Sequence, residues 1–163
     1  MKKIVFIILM ILPWLIEWGE RFGENGFETN CLSRFSIGWF NDDGYRKYSD
    51  GVFMLSNSLF GTGMGVYSGT IYSLSPNNHL REKKMVHVSF EYTYHVGNGI
   101  YTAHTISMTK ELGNEASEDE MTTFISPMLK DGGRMLSQIN LLEGVRVAAG
   151  TTAFPRFMCT AKP

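Results

Sequence analysis

The chain has 163 residues, of which 44% are apolar, with 16 acidic and 15 basic side chains and a formal charge of −1 at pH 7. With no basic field to hold phosphates, a nucleic-acid-binding role is excluded. The length fits one domain with a sizeable core.

The chain opens with Lys2 and Lys3, followed by an apolar run from Ile4 to Ile16 that contains Pro13 and Trp14 and ends before Glu17 and Trp18. Such a charge order keeps the N-terminus in the cytoplasm and sends the following chain across a membrane. As a helix the run rises roughly 20 Å, short of a hydrocarbon core of roughly 30 Å, which favours a cleaved signal peptide. The exit side lacks an A-x-A-like cleavage site, which favours an anchor that stays. Trp14 and Trp18 at the interface, with Lys2 and Lys3 snorkelling, lengthen the effective span. The retained anchor is the preferred reading, and both readings export the rest of the chain. The domain plan is then an anchor over 1–18, a glycine- and acid-rich tether over 19–30, and a periplasmic β-rich domain over 31–163.

Cysteines stand at 31 and 159, near the two ends of that domain. In an exported chain an even count so placed suggests a Cys31–Cys159 disulfide, with two separate buried thiols as the alternative. The first strand is CLSRFSIGWF, in which Cys31, Phe35, Ile37 and Trp39 share a face. A polar connection follows, with turn signals at Asp43-Gly44 and Asp50-Gly51. VFMLSNSLF, GMGVYSGTIYSLS, REKKMVHVSFEYTYHV and GIYTAHTISMTKEL are four further candidate strands. Gly61–Gly65 and Pro76-Asn77-Asn78 supply turns between them.

The most regular stretch alternates Val86, Val88, Phe90, Tyr92, Tyr94 and Val96 with polar residues. A three-residue loop Gly97-Asn98-Gly99 pairs Phe90 with Ile106, Val88 with Met108 and Glu91 with Thr105, and sets His104 opposite Tyr92 as a core histidine. A two-residue Asn98-Gly99 loop is the alternative register. One helix is predicted near 117–130, with a capping box at Ser117 and Glu120 and Met121, Phe124, Ile125, Met128 and Leu129 at helical spacing. Pro127 ends or kinks it near Ser126. MLSQINLL, VRVAAG and FPRFMCTA read as three shorter strands. The fold class is mainly β (α+β): a membrane helix, then an antiparallel meander forming a curled sheet, small barrel or half-barrel.

Chemistry-bearing motifs are sparse. Histidines 79, 87, 95 and 104 do not converge, since His87 and His95 lie roughly 27 Å apart along one strand. No metal and no cofactor is expected. There is no G-x-S-x-G, the Gly61–Gly65 stretch lacks a P-loop lysine, and Glu118, Asp119 and Glu120 suit the first turn of a helix. The reading is therefore of a protein that is not an enzyme. Tyr67, Tyr72, Tyr92, Tyr94 and Tyr101 place phenols on neighbouring strands, and these are the candidate ligand-facing aromatics of a barrel mouth.

The lysine-led apolar segment, the strand-rich exported domain, and the cysteines beyond the tether and in Phe157-Met158-Cys159-Thr160 together resemble the FidL-like family of small enterobacterial inner-membrane proteins. The resemblance covers nearly the whole chain, through overall shape and two cysteines. It implies a single-pass inner-membrane protein, and members of the family often lie beside one-pass membrane transcription activators of the ToxR type. The situation is similar to that of ToxS-like partners, whose periplasmic domains stabilise or modulate such an activator. In one related pairing style, the two domains together build a lipocalin-like barrel for an amphipathic ligand. The expected function is thus an accessory protein that binds another inner-membrane protein. The alternative is a periplasmic protein that binds a small amphipathic molecule by itself.

Overall fold

The structure, a computed structural model, describes residues 11–12, 30–41, 44, 46–58, 60–142, 146–151 and 154–161. The side chains of Phe35 and of residues 139–161 lie outside this description. The chain forms strands β1 (Asn30–Phe40), β2 (Arg46–Asn57), β3 (Thr62–Leu74), β4 (Leu80–Gly97) and β5 (Ile100–Lys110). The helix α1 (Glu118–Phe124) follows, and then β6 (Arg134–Leu142), β7 (Arg146–Thr151) and β8 (Phe154–Ala161). Each strand pairs antiparallel with the next, and β1 meets β8 through Cys31–Ala161 and Leu32–Thr160, so the meander closes into an eight-stranded barrel.

Alternation builds the inside. Val86, Val88, Phe90, Tyr92 and Tyr94 of β4 are buried while their neighbours turn outward. Phe53 of β2, Tyr67 and Ile71 of β3, and Tyr101 and Ala103 of β5 meet them in one cluster. Eight strands leave an interior just wide enough for side chains to fill, and among the described residues aromatic rings supply much of the filling.

Space for those rings comes from glycine on the facing strand. A methyl group at Gly63 would run into the Tyr92 ring, one at Gly65 into Phe90, and one at Gly51 or Gly69 into the Tyr67 hydroxyl. Gly51 is therefore a mid-strand spacer rather than part of a turn, which corrects the reading of Asp50-Gly51. Asp50 and Gly51 pair with Thr70 and Gly69 in an uninterrupted ladder. Gly63 and Gly65 likewise belong to β3, and the β2–β3 turn lies before them, where Gly61 donates to the Ser58 carbonyl.

The β4–β5 hairpin also departs from the preferred register. Gly97 pairs with Ile100 and Val96 with Tyr101, so the loop is Asn98-Gly99. Both loop residues have positive φ, 53° and 74°, as the hairpin turn matched to strand twist requires. A bulge between Glu91 and Tyr92 then shifts the pairing, so that Glu91 meets Ser107, Phe90 meets Met108 and Val88 meets Lys110. His104 consequently pairs with Thr93 and is exposed, and it is not a core partner of Tyr92.

The helix forms as its capping box directs: the Glu120 amide donates to Ser117 Oγ, and the Ser117 amide donates to the Glu120 carboxylate. It ends at Phe124, three residues before Pro127. Helix α1 and the following turn stop one end of the barrel, because Met121, Ile125, Met128 and Leu129 are buried in the barrel's own cluster. Two internal hydroxyls fix this plug: Ser49 donates to the Phe124 carbonyl at 2.7 Å and Thr105 to the Met128 carbonyl at 2.7 Å. Trp39 meets Phe124 edge-on at 6.2 Å. Where β5 runs beyond β6, residues 131–133 take over its backbone groups, with the Thr105 amide donating to Gly133 and the Met108 amide to Asp131.

The proposed membrane segment lies outside the described residues apart from Ile11 and Leu12, which are helical and exposed. Among the described residues no helix is long and apolar enough to cross a membrane.

Candidate functional site

Four of the five singled-out tyrosines share the barrel interior. Tyr67, Tyr92, Tyr94 and Tyr101 are all buried, whereas Tyr72 faces outward and stacks on Tyr48 with ring centres 4.5 Å apart. At the end opposite the helix, Tyr94 and Tyr101 stack at 5.6 Å. The Tyr92 hydroxyl donates to Asn57 Oδ1 at 2.6 Å, and Tyr94 donates to the Ser58 carbonyl at 2.6 Å. These bonds tie the mouth of the barrel to the β2–β3 turn, whose Gly61 carbonyl also accepts from the Tyr94 amide.

Burial raises the pKa of each of these phenols. Tyr92 is pushed up to about 12 by desolvation, partly offset by a hydrogen bond from Tyr101. Tyr101 is raised by desolvation and by the nearby Tyr92 and Tyr94, Tyr94 by desolvation, and Tyr67 by desolvation and by Asp50. All four are neutral donors at physiological pH, suited to orienting polar groups and not to proton abstraction.

Among the described side chains the interior leaves little room. The cavity bounded by Phe53, Leu55, Phe90, Tyr101, Met128 and Met135 measures about 20 Å³. That is space for about one water, against roughly 300 Å³ or more for a typical small-molecule site. Among the described side chains the phenols thus pack against their neighbours in one cluster.

The outer wall is different. Leu32 pairs with Met54, and Met54 with Val66, so three outward apolar side chains stand side by side across β1, β2 and β3, exposed by 49%, 46% and 38%. Met64, two residues from Val66, and Phe60 in the adjoining turn extend the row, as does Ile106, the extra residue of the bulge on β5. A contiguous patch of this kind marks an interaction surface more often than scattered apolar residues do. The sequence carries a trace of it: Val52-Phe53-Met54-Leu55 is apolar on both parities, and a strand with one face in water has no need of that.

The other candidate residues are dispersed. Cys31 is buried on the inner face of β1, and no cysteine among the described residues is free. Cys159 lies on β8 opposite Val147, two residues before the Ala161 that pairs with Cys31. Lys2, Lys3, Trp14 and Trp18 lie outside the described residues. His87 shares a hydrogen bond of 3.0 Å with Ser68 on the neighbouring strand, and among the described residues no three potential ligands converge on a metal position.

Neither a protein-family model nor any curated protein matches this chain.

Proposed function

We propose that the protein is an accessory subunit, held at the bacterial inner membrane by its N-terminal segment, whose periplasmic barrel binds and stabilises or modulates a one-pass membrane regulator. The resemblance to FidL-like proteins and the charge order of the N-terminal segment support this reading. The observation that carries it is the row Leu32–Met54–Val66, an apolar strip on an otherwise alternating wall. Barrel closure leaves few strand edges to offer, so the barrel face is the favoured contact. Docking there buries three large side chains, each stabilising the complex by about 1–2 kcal/mol when fully covered. A shared membrane plane raises the effective concentration of the two partners. A Cys31–Cys159 bond belongs to the same picture, because the periplasm is oxidising.

A photo-crosslinking residue at Met54 tests it in cells. One stoichiometric one-pass regulator should be captured there, and none from the same residue at Thr102, an exposed polar position on β5. Met54→Lys should abolish co-purification without lowering the melting temperature. A chain that crosslinks to nothing at Met54 while still in the membrane fraction overturns the reading.

A further inference from the structure

Beside that row lies a cleft of about 580 Å³, lined by Phe60, Met64 and Ile106 with Asn57, Tyr92 and Glu91. Its volume falls within the roughly 300–1,000 Å³ of small-molecule sites. Met64 and Glu91 are direct cross-strand partners on the outer face, and the bulge pushes Ile106 out beside them. The turn that carries Phe60 is held over the barrel mouth by the bond between Tyr94 and Gly61. Its walls thus join three large apolar side chains and the hydroxyl-bearing Ser56, Ser58 and Thr62 to a single carboxylate. Among the described residues the Glu91 carboxylate has no hydrogen-bond or ion-pair partner, and no lysine, arginine or histidine lines the cleft.

We infer that this cleft binds a small organic cation with an apolar body, such as an arylalkyl ammonium, through Glu91 and the Phe60–Met64–Ile106 walls. An exposed carboxylate attracts a positive head and repels an anion of the same size. A neutral apolar molecule would strip water from Glu91 and offer nothing in return. A divalent metal needs several oxygen ligands, and the cleft supplies one carboxylate. Phe60, 81% exposed, presents a ring face on which an ammonium group is favourably placed. The inference stands independently of the accessory reading, since it needs neither a membrane nor a protein partner.

Titration of the full chain, held in nanodiscs of zwitterionic phosphatidylcholine, with benzyltrimethylammonium tests it, and phenylacetate serves as the anion of similar shape. Saturable binding of the cation is expected, with the Met64 methyl resonance shifting and that of Met121, buried in the plug, staying in place. Glu91→Gln should weaken binding about threefold or more, as loss of an exposed charge pair does, with an unchanged melting temperature. Met64→Lys, which sets an ammonium beside Glu91, should abolish it. Equal affinity for phenylacetate, an unsaturable titration, or undiminished binding by Glu91→Gln would each overturn the assignment.

Discussion

Gly65 shows how much a missing side chain decides in this barrel. The place a Cβ would take is occupied by the Phe90 ring, whose own neighbours Tyr92 and Tyr67 lie over Gly63 and the Gly51–Gly69 pair. Gly65→Ala should therefore destabilise the fold by about 1–3 kcal/mol through overpacking, although alanine is the better strand residue. Urea unfolding measures it, and Phe90→Leu in the same chain should restore part of the loss. A neutral effect of Gly65→Ala would show that the ring moves aside freely. None of this was legible beforehand: glycine in the sequence announces a turn as readily as a spacer, and only the partner strand reveals which it is. Tyr92 and Tyr94 were more readable, since period two puts both on one face of β4, whereas the register is what brings Tyr67 and Tyr101 to that face. Tyr72 failed the same test because its number has the other parity from Tyr67 on β3.

At the scale of elements, α1 is held to the barrel by chemistry its sequence shows only in part. The capping box was legible; the 2.7 Å bond from Lys84 Nζ to Glu120 was not, because the two residues are 36 apart in sequence. Burial resists ionisation of Glu120, but the hydrogen bonds from Lys84 and Ser117 outweigh it and hold its carboxyl below the ordinary value of 4.5. The same bond raises Lys84. A carboxyl whose folded-state value is depressed stabilises the fold fully above its unfolded value and loses that effect as pH falls through the folded one. Glu120→Gln keeps a capping side chain but removes the charge. It should cost about 1 kcal/mol at pH 7 and progressively less below pH 4.5, until the two proteins melt together in acid. A gap that persists at pH 2 would assign the loss to packing. The β4–β5 hairpin teaches a related limit. Period two identified both strands, and Asn98-Gly99 is the strongest short hairpin signal, yet matching apolar to apolar favoured the longer loop. The bulge at Glu91 is what reconciles an Asn-Gly turn with Phe90 opposite Met108, and alternation alone cannot announce an extra residue.

For the whole molecule, the weakest joint is the closure itself. The β2–β3 ladder runs from Arg46–Leu74 to Asn57–Gly63, whereas β1 and β8 share two described pairs. A Cys31–Cys159 bond would reinforce that joint across nearly the full length of the domain. Cys31→Ser should lower stability by about 2–5 kcal/mol, Cys159→Ser should do the same, and the double variant should be no worse than either single one. Thiol titration of the unfolded, unreduced chain should find none; two would leave the cysteines as separate thiols. The strands and the helix position were legible, because turn residues and alternation repeat along the chain. Strand order and closure are not legible in the sequence, since no local pattern reports which strands meet or whether the first strand reaches the last. The outer row was missed for a similar reason: Leu32, Met54 and Val66 are each ordinary alone, and only the register makes them neighbours.

That closure also sets an order of events. A ribosome delivers β1 first and β8 last, so every other ladder can form between neighbours in the chain while the final one waits for about 130 intervening residues. Contacts of such long range are slow to find, and the loop they close is entropically costly until the intervening hairpins have shortened it. During that interval one side of β1 is unpaired, with Leu32 exposed beside it and the Cys31 thiolate able to attack a disulfide of another chain, releasing that chain's second sulfur as a thiolate. The nascent protein is therefore most vulnerable to strand capture and to mispaired sulfur at its beginning, and its last eight-residue strand ends that exposure.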